Sequence, residues 1–97
     1  MRIVWSPLAL DRVEEIASYI ARENDSAARH WIGSIFAKVK RLGRFPSSGR
    51  VVPEIQRLSI REIIDGDYRI IYRIERTRIA VLTVRHGKRE FLKNELD

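Results

Sequence analysis

The chain is predicted to fold as an α+β sandwich: an N-terminal strand and an antiparallel helical hairpin packed on a small, mostly antiparallel four-stranded sheet. Three observations predict it. Apolar residues recur at three-to-four spacing through two segments of the first half. Apolar and basic residues then alternate with a period of two through much of Arg61–Arg89. The resulting order, strand, two helices and three strands, leaves each helix one apolar stripe that only a sheet face can cover. The 97 residues leave room for one hydrophobic core, so a single domain spans 1–97.

Arg2-Ile3-Val4-Trp5 reads as a short strand paired with a later one. Ser6-Pro7 opens the first helix, because serine can accept from a free N–H and proline at the first helical position lacks the donor that would go unpaired. Val13, Ile16, Ala17 and Ile20 fall at i, i+3, i+4 and i+7, and the helix is expected to reach about Glu23. Asn24-Asp25-Ser26 is a turn and cap cluster. After it, Ala28, Trp31, Ile32, Ile35, Val39 and Leu42 mark a second helix, whose end collects Lys38, Lys40, Arg41 and Arg44.

Phe45 to Gln56 holds Pro46, Ser47, Ser48, Gly49 and Pro53 and is expected to be irregular, with Arg50 exposed in it. Strands follow near 59–64, 68–74 and 78–85. Asp65-Gly66 supplies a hairpin signal and Glu75-Arg76-Thr77 the second turn. Ile79 to Val84 is apolar on both parities, as a central, well-covered strand should be. Tyr68, Ile70, Tyr72 and Ile74 are expected to face the helices, and Arg69, Ile71 and Arg73 the other side, making that second face the arginine-bearing one. Residues 90–97 could add one or two helical turns.

Composition narrows the function classes. The chain has no cysteine and two histidines, which removes disulfides, thiolate zinc sites and cysteine nucleophiles and makes a metal site or other cofactor unexpected. No apolar run approaches the length of a membrane span and no signal-peptide pattern opens the chain, so a cytoplasmic protein without a membrane partner is expected. Charge is uneven. Residues 1–25 carry three Lys/Arg against five Asp/Glu, and residues 26–97 carry sixteen against eight, within an overall charge of +6. A basic body suits an anionic partner, either nucleic acid or an acidic protein segment.

Seven pieces carry a family likeness: Trp5-Ser6-Pro7-x-Ala9-x-Asp11, Ile16-x-x-Tyr19-Ile20-Ala21, Ala27-Ala28, Phe45-Pro46-x-x-Gly49-Arg50, Arg61-Glu62, Tyr68-Arg69-x-x-Tyr72 and His86-Gly87-x-Arg89. Taken in order across nearly the whole chain, they resemble the RelE/ParE superfamily of toxins from bacterial type II toxin–antitoxin systems. The resemblance implies a small toxin neutralised by a cognate antitoxin, with two branches of activity. The RelE branch cuts messenger RNA on the ribosome, using lysines, two arginines and a C-terminal tyrosine on the open sheet face. Mapped by register, its arginines are present as Arg69 and Arg89. Its lysine positions fall on Ile60 and Glu62, its tyrosine position falls near Glu95, and no tyrosine follows Tyr72.

That departure has a chemical meaning. Cleavage through the 2′-hydroxyl needs a base, cations for the phosphorane charge and an acid for the leaving oxygen. Glutamate in place of lysine exchanges attraction for repulsion, and each lost contact of this kind costs about 3–4 kcal/mol of barrier. A histidine can serve as general acid or base near neutral pH, but around His86 the supporting groups are thin. The ParE branch, described as inhibiting DNA gyrase through protein–protein contact, fits the sequence better. The resemblance therefore implies no catalytic residue, binding to the gyrase A subunit (the ribosome and mRNA in the alternative), and no specific DNA binding by the toxin alone. Target-binding residues are expected at Arg50, Arg69, Arg85, His86, Lys88 and Arg89. Antitoxin-binding residues are expected at Trp31, Ile32 and Ile35. A plainer role also fits the strand arginines, with Arg69 and Arg73 paired to Glu62 or Glu75 and Arg50 tied to Glu54.

Overall fold

The structure, a computed structural model, describes residues 1–87. Strand β1 (Arg2–Trp5) leads into helix α1 (Pro7–Ala21), then α2 (Asp25–Leu42), a 3-10 turn at Pro46–Ser48, and strands β2 (Arg50–Val51), β3 (Ile60–Asp65), β4 (Tyr68–Ile74) and β5 (Arg78–His86). The sheet order is β1-β5-β4-β3-β2. β1 runs parallel to β5, and every other pair is antiparallel. The predicted two-layer sandwich is present, with a fifth strand. β2 was unexpected because two residues between Gly49 and Pro53 give no periodicity to read.

Local chemistry explains the helix starts. The Ser6 hydroxyl oxygen accepts from the Ala9 N–H at 3.0 Å and donates to the Leu82 carbonyl at 2.9 Å. One side chain thus caps α1 and pins it to β5. Asn24 accepts from the Ala27 N–H at 2.9 Å and caps α2. α1 stops at Ala21 rather than Glu23, and the amides of Glu23 and Asn24 both donate to the Ile20 carbonyl to close its last turn.

Ala9 and Val13 from α1, Ile35, Val39 and Leu42 from α2, and Ile70, Tyr72, Ile79, Val81 and Val84 from the sheet form the main core. At β4–β5 the register shifts by one: Ile71 pairs with Thr83 and Tyr72 with Val81. Leu82 is the extra residue of this bulge. The shift accounts for the apolar run of β5 on both parities, since Leu82 joins a second cluster on the far face with Val52, Ile60 and Ile71. That face is therefore not an open arginine surface. Val52 and Ile55, from the segment joining β2 to β3, cover part of it.

The β3–β4 hairpin turns on Gly66 and Asp67, with Gly66 at φ +56°. It is the glycine-first kind of two-residue turn, in which Asp65 belongs to the strand.

Candidate target-binding face

β3 and β4 place Glu62, Arg69 and Ile71 on the face away from the helices, and β2 adds Arg50 opposite Glu62. Glu62 is 1% exposed. Its carboxylate accepts from Arg50 Nε at 2.6 Å and from Arg69 Nε at 2.6 Å. The other side of the Arg69 guanidinium meets Glu54 as a fork, at 2.7 and 2.9 Å. Two parallel bonds of this type are both strong and directional. The four residues thus form one chain of alternating charge, Arg50–Glu62–Arg69–Glu54, joining β2, the β2–β3 segment, β3 and β4.

The electrostatics follow from that geometry. Bonding to Glu54, and then to Glu62, raises the Arg69 pKa above its already high ordinary value, against the opposing effect of burial. The same bonds from Arg69 hold Glu54 below the ordinary carboxylate value. At neutral pH the pair is fully ionised and mutually satisfied.

A second set of bonds fixes the approach to β2. The Tyr72 hydroxyl donates to the Pro46 carbonyl at 2.6 Å and accepts from the Gly49 N–H at 3.0 Å, and burial pushes its phenol pKa up. A Cβ on Gly49 would lie 2.6 Å from both the Glu62 carbonyl and the Tyr72 hydroxyl, so only glycine fits there. Arg61 donates to the carbonyls of Leu58 and Gly49, each at 3.0 Å. The pieces that the sequence presents separately thus form two polar sets, Pro46, Gly49, Arg61 and Tyr72 in one and Arg50, Glu62 and Arg69 with Glu54 in the other, and both hold the chain around β2.

The structure separates the predicted site residues. Arg69 is 7% exposed and clamped between two carboxylates, so a partner would reach its guanidinium only by breaking both pairs. Arg50 lies on a strand rather than in an irregular loop, and it pairs with Glu62 rather than Glu54, but its side chain stays 60% exposed. Arg85 stands opposite Arg69 on β5 and is 9% exposed. His86, half-buried, sits edge-on to Tyr68 with ring centroids 5.7 Å apart. Lys88 and Arg89, with the expected helical turns of 90–97, lie outside the described residues.

Ile35 is fully buried in the main core, so it packs α2 on the sheet and offers no surface to an antitoxin. Trp31 and Ile32 are half-buried against that same core, and Trp31 lies edge-on to Tyr68 at 5.4 Å. The lysine positions of the nuclease branch, Ile60 and Glu62, are 3% and 1% exposed. Among the described residues no group of three or more His, Asp or Glu could hold a metal, and no helix is long and apolar enough to cross a membrane.

Sequence reasoning missed Glu54 as the partner of Arg69 and Tyr72 as the anchor of the Pro46–Gly49 turn. Arg73 does pair with Glu75, at 2.8 Å, as its plainer reading expected.

Comparison with known proteins gives three findings. Residues 3–91 match the family described as ParE toxin of type II toxin-antitoxin system, parDE. The Sinorhizobium fredii (strain NBRC 101917 / NGR234) protein named "Putative toxin Y4kP" is 37% identical over 92 residues, covering 93% of this chain and 92% of that protein. A solved chain titled "Chromosomal ParDE TA system from P. aeruginosa" superposes with a TM-score of 0.75. It is 18% identical, with 91% of this chain and 97% of that chain covered, so this likeness speaks for the fold.

Proposed function

This chain belongs to the ParE toxin family of type II toxin–antitoxin systems, and from that premise we propose that it arrests growth by binding DNA gyrase through the A subunit, making and breaking no bond itself. The observation that carries the reading is the state of Arg69. The one described arginine that maps to the nuclease branch is buried and neutralised by Glu62 and Glu54. Glu62 and Ile60 occupy the mapped lysine positions. Such a face offers no free cation for a phosphorane and no converging acid and base among the described residues.

Contacts to gyrase are assigned to His86, Lys88 and Arg89 of the run Arg85–Arg89 and to the exposed Arg50 on β2; Arg85, 9% exposed, is nearly as buried as Arg69 and is not among them. A cognate antitoxin neutralises the toxin, and Trp31 and Ile32 contribute to that interface from the rim of α2. The toxin works in the cytoplasm without a cofactor.

A purified supercoiling assay tests the reading. Toxin in micromolar excess should stop gyrase from supercoiling relaxed plasmid, while primer extension on translating ribosomes should find no new breaks in A-site codons. Undisturbed supercoiling together with A-site breaks would move this chain to the nuclease branch.

A further inference from the structure

The segment that joins β2 to β3 ends in a turn that holds one leucine out in water. Leu58 is 78% exposed, more than any other large apolar side chain among the described residues. A lone exposed leucine is ordinary on a protein surface, but the backbone under this one is fixed on both sides. The Ile60 N–H donates to the Arg57 carbonyl at 3.1 Å and closes the turn, and the Ile74 N–H donates to the Ser59 carbonyl at 2.7 Å. Arg61 Nε donates to the Leu58 carbonyl itself at 3.0 Å. On the entering side, the amides of Ile55 and Gln56 both donate to the Val52 carbonyl, at 3.0 and 2.9 Å. Gln56 then takes φ +56°, in the left-handed region that residues with a Cβ seldom adopt. Glycine would make the same bend and leave the chain freer, so glutamine narrows the choices of the turn that follows. Val52, Ile55 and Ile60 root the segment in the second apolar cluster.

The charge around the leucine has one sign. Arg57 is exposed and has no ion pair among the described residues. Arg61 bonds to the carbonyls of Ser47, Gly49 and Leu58, so its positive charge is not neutralised. The one carboxylate of the segment, Glu54, is already taken by Arg69.

We propose that Leu58 is an apolar anchor for the toxin's target, seated in a recess of an acidic surface on the gyrase A subunit, with Arg57 and Arg61 at its rim. The inference rests on the gyrase reading above and deepens it, by adding an anchoring residue and the chemistry of the surface that receives it. A turn already held in shape loses little freedom on binding, and an apolar centre with a charged rim is how protein interfaces are built. A phosphate backbone would answer the arginines alone, whereas the leucine calls for a protein recess. Two copies of this chain set turn to turn would oppose their own cations. The segment starts from β2, which carries Arg50, and covers the sheet face away from the helices. Trp31 and Ile32, the residues assigned to the antitoxin, belong to α2 in the other layer.

Leu58→Asp, Leu58→Met and Arg57→Glu test the anchor, and Tyr19→Ser is the control, because Tyr19 is 68% exposed on α1. Three quantities are measured for each: the concentration that half-inhibits purified gyrase, the urea midpoint, and calorimetric binding of the protein encoded by the adjacent reading frame. Leu58→Asp should need at least about tenfold more toxin for half-inhibition and Arg57→Glu at least about threefold more, while Leu58→Met and Tyr19→Ser stay within about twofold of the parent. All four should keep the parent's urea midpoint and its affinity for the neighbour. Leu58→Ser, a smaller change at the same place, replaces the aspartate if that variant unfolds early. Parent-like inhibition by the Leu58 variant would overturn the anchor and leave the gyrase reading standing. Loss of the neighbour's binding as well, at the parent's urea midpoint, would move the turn to the antitoxin interface and overturn the assignment. A parent toxin without effect on gyrase would overturn both the anchor and the reading beneath it.

Discussion

Glu62 sits where the nuclease branch is expected to carry a lysine, and at 1% exposure it is held between two arginines. Removing it takes one of two carboxylates from the buried Arg69, whose Nε is left unpaired while the Glu54 fork remains. Breaking one side of a buried pair costs about 3–5 kcal/mol, so Glu62→Ala should lower stability by that much in urea unfolding, while Arg73→Ala, at a half-buried strand-end pair, should cost under about 1 kcal/mol. Glu54 gives a pH signature. Hydrogen bonds from Arg69 hold its pKa below the ordinary 4.5, so the unfolded chain takes up that proton first. Its contribution is complete above the ordinary value and disappears as pH falls through the lowered folded value. Glu75 shifts the same way, through Arg78 and then Arg73, so Glu54→Gln should shrink the acid-side loss of stability without abolishing it. At this scale the sequence was half legible. Strand parity offered Glu62 as a partner for Arg69, since both lie on the same face of adjacent strands. Glu54 was hidden because its segment has no period, and only the folded path of residues 52–58 brings it over the sheet.

Among the elements, β2 depends most on a single distant side chain. Tyr72, three residues after Arg69 on β4, holds both the Pro46 carbonyl and the Gly49 N–H. Tyr72→Phe leaves a buried donor and acceptor unsatisfied and should cost about 1–3 kcal/mol. Native-state hydrogen exchange should show the loss confined to the Pro46–Val51 region, with the α1 and β5 amides unchanged. The helices were legible because capping and stripe are both local: Ser6, Asn24 and the three-to-four spacing needed no knowledge of the rest of the chain. β5 was placed as a central strand, yet its bulge at Leu82 was not readable. A run apolar on both parities fits a straight strand buried on two sides as well as a bulged one, and only pairing to Ile71 and Tyr72 distinguishes them. Two-residue β2 left no pattern at all.

At the scale of the whole molecule, the separate motif pieces converge on two polar sets that fasten β2 and its following segment to the sheet. The overall layering was legible because each helical stripe demanded a sheet, and the family likeness came through the same residues. What the sequence could not separate was a basic residue that presents charge from one that holds the fold, since both read as arginine on the outer face of a strand. The central claim is that Arg69 and Glu62 hold the face together and perform no chemistry. Joint replacement by apolar residues of similar length, Arg69→Met with Glu62→Leu, tests it most directly. Exchanging a buried ion pair for packed apolar side chains is often neutral or stabilising, and the exposed ends of Arg50 and Glu54 return to water. Growth arrest by this double variant, measured at matched expression after its fold is verified by circular dichroism, is predicted to equal that of the parent. A double variant that folds with the parent's stability but no longer arrests growth would contradict the account.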